Sequence, residues 1–364
     1  MKQLRIPGPT PCPEAVLQAV AQPMINHRGP QFQALMERVT TRLKEFFNTK
    51  NDLYVLTGSG TGGMEAAVVN HLSPGDKVLV ITNGYFGERF AGIAEAFGAQ
   101  VTRLEFPWGE AAQPQALKAA LEKDREIKAV VVVHNETSTG LTNPLRGLAQ
   151  VVRASDRLLI VDAVSSLGSV ELPMDEWGVD VLVTGSQKGW MVPPGLAMIA
   201  VSPRAWQYHT QARMPRYYWD LSRARRFLEK GQTPWTPAIS IFYGLDTALE
   251  MMAREGQANI IARHRRVADL VRGRVKSLGL KLFPDEKFAS NTVTCIRAPE
   301  GVEVKGMLKY LREEEGITLA GGQGILEGKT FRIGHLGWVD EKDGEVVMKG
   351  VEKALARAGY VRAG

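Results

Sequence analysis

Only two cysteines, Cys12 and Cys295, occur in 364 residues. Two thiols cannot build a disulfide framework or a four-cysteine metal site, and such sparse use points to a reducing compartment. Long apolar runs are missing as well. No stretch approaches the roughly 20 residues needed to cross a bilayer. The opening "MKQLRIPGPTPCPEAV" lacks the apolar core of a secretory signal, because Pro7, Gly8 and Pro9 interrupt it. A soluble, cytoplasmic protein with no membrane partner is the expectation. Internal repeats and low-complexity tracts are absent, which excludes solenoids and disordered linkers. Acidic residues are in slight deficit, 39 against 45 basic ones, for a formal net charge of +6. The densest basic patches, "RARR" (223–226) and "RHRR" (263–266), lie in helix-like surroundings and read as solvated helix faces. No nucleic-acid-binding motif accompanies them, so no nucleic-acid partner is expected.

What remains is an ordinary globular composition, 44% hydrophobic and 23% charged, on a chain long enough for two domains. Over the first 255 residues, short β-branched runs alternate with longer amphipathic stretches. The strand candidates are "LYVLT" (53–57), "KVLVIT" (77–82), "QVTRLEF" (100–106), "AVVVVH" (129–134), "LLIVDA" (158–163), "VLVTG" (181–185) and "LAMIAV" (196–201). Helices are predicted at 61–71, 86–97, 113–123 and 144–154. This alternation predicts an α/β fold, a mostly parallel seven-stranded sheet covered by helices on both faces. Residues 234–256 read as a helix crossing into a smaller α+β domain. The predicted organisation is an N-terminal segment (1–14), a large domain (15–255) and a small C-terminal domain (256–364).

Residues 55–70, "VLTGSGTGGMEAAVVN", run from a strand through a glycine-rich turn into a helix. Gly58, Gly60 and Gly63 fit the dinucleotide fingerprint, and a helix N-terminus suits a phosphate. A tight turn with no ligand fits equally well. A dinucleotide site also needs an acid at the end of the second strand, about 20 residues on. That strand ends in Asn83-Gly84-Tyr85-Phe86. No Gly-Lys-Ser/Thr follows the loop either, so it is not a Walker A site. The hydroxyls of Ser59 and Thr61, beside several backbone amides, suit one small phosphate dianion.

In "VLVTGSQKGW" a core strand ends at Lys188, between Gln187 and Gly189. An exposed loop lysine is one reading. The other is a desolvated amine with a lowered pKa, as imine chemistry requires. Asp162 ends the apolar run "LLIVD", and a buried carboxylate needs a cationic or hydrogen-bonded partner. Open α/β sheets bind ligands at the carboxyl ends of their strands, where Asp162, Lys188, the phosphate loop and "HNETSTG" (134–140) all fall. A single ligand with a phosphate, a protonatable ring nitrogen and an aldehyde would use all of them. Pyridoxal 5′-phosphate has these three groups.

At this point the chain resembles a known family, the class V aminotransferases of fold-type I, in the alanine–glyoxylate/serine–pyruvate branch. Ten motifs in order carry the resemblance. Beside those above they include "PGPTPCPEAVLQAV" (7–20), "MINHRGPQF" (24–32), "NGYFGER" (83–89), "TPWTPAIS" (233–240), "AGGQG" (320–324) and "FRIGHLG" (331–337). The resemblance implies a transaminase moving an amino group from alanine or serine to glyoxylate or pyruvate by a ping-pong route. Lys188 matches the lysine that holds the cofactor as an imine and moves the proton. Asp162 matches the partner of the ring nitrogen. Val164 and Phe86 match the residues on the two ring faces, and Thr137 the one bonding the ring oxygen. Ser59, Gly60, Thr61 and Gln187 match the phosphate cup. A Tyr-x-x-Thr pair from a partner subunit completes that cup in the family. Here it reads Thr233-Pro-Trp-Thr236, so only Thr236 carries over, and a homodimer with shared sites is implied. Arg332 matches the clamp on the substrate carboxylate, and Gly8 a loop lying over the site. The pair His27-Arg28 has no assigned role beyond a structural one near the interface. Cysteine desulfurases share many of these motifs, but neither Cys12 nor Cys295 sits in a mobile-loop context. A 2-aminoethylphosphonate transaminase or a class V lyase is the alternative.

Overall fold

A computed structural model describes residues 3–360. One sheet holds seven strands: β1 (Asp52–Gly58), β2 (Lys77–Thr82), β3 (Gln100–Glu105), β4 (Ala129–Val133), β5 (Leu158–Asp162), β6 (Val181–Gly185) and β7 (Gly195–Val201). Their spatial order is β1-β7-β6-β5-β4-β2-β3. They match the seven apolar segments to within a residue at either end. β7 runs antiparallel to β1 and β6, and every other neighbouring pair is parallel.

The unbroken apolar character of the central strands has a direct cause. Val130 and Val132 pack with Leu35, Leu148 and Phe242 on one face, whereas Val131 and Ile160 pack with Met64, Val68 and Phe90 on the other. A strand buried on both faces has no solvent side for polar residues. Each such side chain contributes roughly 1.5–3 kcal/mol by leaving water. Helices Gly60–His71 and Tyr85–Ala96 cover one face; Pro30–Phe47, Leu145–Ala154 and Ile239–Glu255 cover the other.

The segment 234–256 differs from expectation. Pro234 and Pro237 delay its helix to Ile239, and Phe242, Leu245 and Leu249 pack in the layer against the sheet. The change of direction comes at Gly256, whose φ of 83° turns the chain into Gln257–Ser277. Beyond it, Val293–Arg297, Thr330–Gly334 and Ala320–Gly321 form an antiparallel sheet over a third apolar cluster that includes Val271, Met307, Leu311 and Met348. Gln3–Leu4 pairs in parallel with Ile317–Thr318, and Arg5 is 2.6 Å from Asp343. The chain's start is thereby tied to its C-terminal part.

The order of strands fixes where a ligand can sit. From β2 the chain moves outward to β3, then returns past β2 to β4 and proceeds the other way through β5 and β6. The loops leaving β2 and β4 diverge and open a crevice at the carboxyl edge, the usual binding position in open α/β sheets.

Candidate active site

The crevice contains a cavity of about 180 Å³. Ser59, Gly60, Thr61, Phe86, Thr137, Asp162, Val164, Gln187 and Lys188 all line it. Nine residues proposed from sequence, spread over some 130 positions, thus meet around one space.

The glycine-rich turn forms one end. Ser59 caps helix Gly60–His71, its hydroxyl accepting from the Gly62 amide at 3.4 Å, which leaves the hydroxyl proton available. The amides of Gly60 and Thr61, at the first helical positions, have no acceptor within the helix. The glycine spacing that mimics a dinucleotide site serves packing instead. A Cβ on Gly60 would lie 2.7 Å from Val164 Cγ2, and one on Gly58 or Gly62 would lie 2.7 or 2.8 Å from the Trp219 ring.

Asp162 ends β5, and Lys188 follows the neighbouring β6. The Val164 amide donates to Asp162 Oδ1 at 2.7 Å. Burial pushes the Asp162 carboxyl up to about 6; the Val164 bond opposes this, while the charge of Glu136 adds to it. Burial also pushes the Lys188 ammonium down to about 8, with Asp162 opposing and the cations Arg332 and Arg89 adding. Lys188 Nζ donates to the Pro7 carbonyl at 2.7 Å, and Thr10 bonds the backbone of Gln187 and Lys188. A Cβ on Gly8 would fall 2.6 Å from Lys188 Nζ, so only glycine lets the N-terminal segment cross here.

Four further residues line the cavity that sequence reasoning did not single out: Met64, Arg89, Asn135 and Ser165. Met64, Arg89 and Asn135 lie inside quoted motifs, but nothing in their spacing showed which way they face. Arg89 reaches Thr61 Oγ1 at 3.4 Å and sets its guanidinium 4.8 Å from the Phe86 ring centroid. Asn135, Thr137 and Ser165 share a network in which the Thr137 hydroxyl donates to Ser165 Oγ at 2.8 Å. That hydroxyl must turn to meet a ligand.

Arg332 does not line the cavity itself but adjoins its Thr137, donating from Nη1 to the Thr137 carbonyl at 3.3 Å and to Gln323 Oε1 at 2.8 Å. Its Nε and Nη2 donate to the Gly321 carbonyl at 2.9 and 2.8 Å. Every acceptor is neutral; among the described residues no carboxylate pairs with it. A buried guanidinium oriented by neutral groups and lacking a counter-ion is poised for an incoming carboxylate.

Comparison with known proteins now adds to the geometry. The family model described as "Aminotransferase class-V" matches residues 4–333. The chain belongs to the class V aminotransferases. This class V aminotransferase is 44% identical to a protein of Synechococcus sp. named "Soluble hydrogenase, small subunit", over 98% of this chain and 94% of that one. It is 39% identical to the L-aspartate–glyoxylate aminotransferase of Paracoccus denitrificans, over 91% and 85% of the two chains. A solved alanine–glyoxylate aminotransferase from Nostoc sp. superposes with a TM-score of 0.94 at 34% identity, covering 97% of this chain and 95% of that one.

In this class V aminotransferase Thr236 does not reach the cavity of its own chain. It lines a separate small recess with Tyr218, Trp219 and Trp235. The Arg28 guanidinium holds that loop in place, donating to the carbonyls of Thr233 at 2.7 Å and Pro234 at 3.2 Å. The "HR" motif therefore has a concrete task at Arg28. Among the described residues no helix is long and apolar enough to cross a membrane, and no group of three or more His, Cys, Asp or Glu could hold a metal ion.

Proposed function

We propose that the cavity binds pyridoxal 5′-phosphate and that the enzyme moves an amino group from a small L-amino acid, alanine or serine, to glyoxylate or pyruvate. One observation carries the reading: a desolvated lysine amine and a buried carboxylate end adjacent strands in a single cavity, beside a guanidinium with no anionic partner. The donor set fits the cofactor. The free amides of Gly60 and Thr61, with the hydroxyls of Ser59 and Thr61, suit a phosphate. Gln187 Oε1 is buried with no hydrogen-bond partner; it is an acceptor, so to join the phosphate cup the side-chain amide must turn and present its Nε2 donors.

When bound, the cofactor supplies an aldehyde for amine capture and a ring that takes up electrons released at the substrate's α-carbon. Lys188 contributes the amine that holds the cofactor and then carries the proton at the α-carbon. Asp162 holds a negative charge for the ring nitrogen. Phe86 and Val164 enclose the ring, and Arg332 fixes the substrate carboxylate by its planar fork. Gly8 leaves room between the N-terminal segment and Lys188.

The proposal extends to a homodimer in which the partner subunit's Thr236 completes the phosphate end. Support comes from the surface beside that loop, where Tyr217 and Tyr218 are 65% and 45% exposed and stack near Trp235. The two free thiols accord with a reducing, cytoplasmic setting. The test is a screen of amino donors against glyoxylate, pyruvate and 2-oxoglutarate with the cofactor-loaded enzyme. Alanine or serine with glyoxylate or pyruvate is the expected pairing. A clear preference for 2-oxoglutarate would contradict it.

A further inference from the structure

Glu136 lies behind the cavity wall rather than on it, and its side chain is fully enclosed, with 0% exposure. Four donors converge on it. Oε2 accepts from the amides of Phe86 and Gly87, both at 3.0 Å. Oε1 accepts from the Ser138 amide at 3.2 Å and the Ser138 hydroxyl at 2.6 Å. Burial pushes the Glu136 carboxyl up, and the four donors oppose this by favouring its ionised form. The helix it faces, Tyr85–Ala96, has no cap from its own N-cap side chain, because that residue is Gly84. Glu136 supplies the cap from the loop after β4. The approach is so close that a Cβ on Gly84 would lie 2.3 Å from Glu136 Cγ.

The consequence falls on Phe86. Its amide is fastened to Glu136, and its ring lies beside the Arg89 guanidinium, so the residue on the cavity wall is held from two sides.

We infer that Glu136 is a positioning residue of the cofactor site. Through the amides of Phe86 and Gly87 it fixes the ring-facing side chain. The inference rests on the pyridoxal 5′-phosphate reading above.

Two variants separate geometry from charge. Glu136→Gln keeps an oxygen for the two amides but removes the charge, whereas Glu136→Asp keeps the charge and withdraws it by one methylene. For each, the dissociation constant for pyridoxal 5′-phosphate, the pH midpoint of the bound form's visible absorbance and the melting temperature are measured. Glu136→Gln can still accept from the two amides through its one remaining oxygen, so its dissociation constant is expected to stay within about threefold of the wild type. Glu136→Asp is expected to keep the midpoint near that of the wild type while weakening cofactor binding about tenfold, because both amide bonds cannot be made at once. A lower melting temperature of Glu136→Asp with its midpoint and dissociation constant unchanged would make Glu136 a helix cap and nothing more, and would overturn the inference. Should Glu136→Gln not fold, Glu136→Asp decides alone, and unchanged affinity overturns it. Failure of the underlying reading looks different: the wild type itself would then develop no visible band with the cofactor.

Discussion

Asp162 ends one strand and Lys188 follows its parallel neighbour, and burial brings their proton affinities together, to about 6 and about 8. An ordinary lysine amine is almost wholly protonated until pH 10 is approached. Here the free amine is present two pH units sooner. The rate at which the cofactor-free enzyme captures pyridoxal 5′-phosphate is therefore expected to rise with pH and level off above about 8. Stopped-flow absorbance from pH 6 to 10 measures this. A rate still climbing steeply at pH 10 would show that Lys188 is not desolvated.

The N-terminal segment owes its path to Gly8, whose φ is +130° and whose missing Cβ leaves space for Lys188. Gly8→Ala meets both a backbone penalty and a clash with the Lys188 side chain. The backbone penalty alone is about 1–3 kcal/mol. Slower cofactor capture and a lower melting temperature are expected together. Unaltered capture would mean that the segment does not crowd Lys188.

Arg332 uses its Nε and Nη2 on the Gly321 carbonyl and its Nη1 on the Thr137 carbonyl and Gln323 Oε1, acceptors that an incoming carboxylate would have to displace. A lysine there keeps the charge but not the fork. Losing one charge-assisted hydrogen bond costs about 1.5–3 kcal/mol, so Arg332→Lys is expected to raise KM for the amino donor about tenfold or more. Steady-state kinetics with the cofactor saturating gives the answer. A change confined to kcat would argue that Arg332 does not bind the carboxylate.

Buried histidines give the fold an acid limit. His264 accepts from the Gly337 amide at Nε2 and bonds the Ile260 carbonyl through Nδ1, which fixes it as neutral. Burial depresses it to about 3, and His335 and His134 to about 3 and about 4. Below its ordinary value the unfolded chain binds the proton and the folded one does not. The stabilisation is thus complete above about pH 6.5 and is lost as pH falls toward the depressed values, at up to about 1.4 kcal/mol per pH unit for each histidine. Asp162 and Glu136, shifted upward, act in the opposite sense but are fewer. Urea unfolding is expected to come at lower denaturant at pH 5 than at pH 7, with about 1–2 kcal/mol less of that loss in His264→Gln.

The strands were readable because parallel strands buried on two faces must be apolar throughout, as "AVVVV" and "LLIVD" are. Lys188 and Asp162 were readable because charge at the end of such a run is costly unless used. Arg332 needed the family pattern, since a strand arginine says nothing by itself about its counter-ion. What stayed hidden depends on long-range contact. Trp219 fills the space left by Gly58 and Gly62, Gln3–Leu4 pairs with Ile317–Thr318, and Glu136 reaches a helix some 50 residues earlier. No local periodicity encodes these pairings. The start of the helix at Ile239 was misjudged because the apolar pattern carried more weight than Pro234 and Pro237.

The most direct test is optical. Purified wild-type enzyme mixed with pyridoxal 5′-phosphate should develop a visible absorbance that L-alanine or L-serine bleaches and glyoxylate or pyruvate restores. Lys188→Ala should show neither the band nor turnover, a loss of at least about 10²-fold in kcat. If Lys188→Ala forms the same band and is bleached by the same amino acids, the assignment of Lys188 and of this cavity as the catalytic centre is wrong.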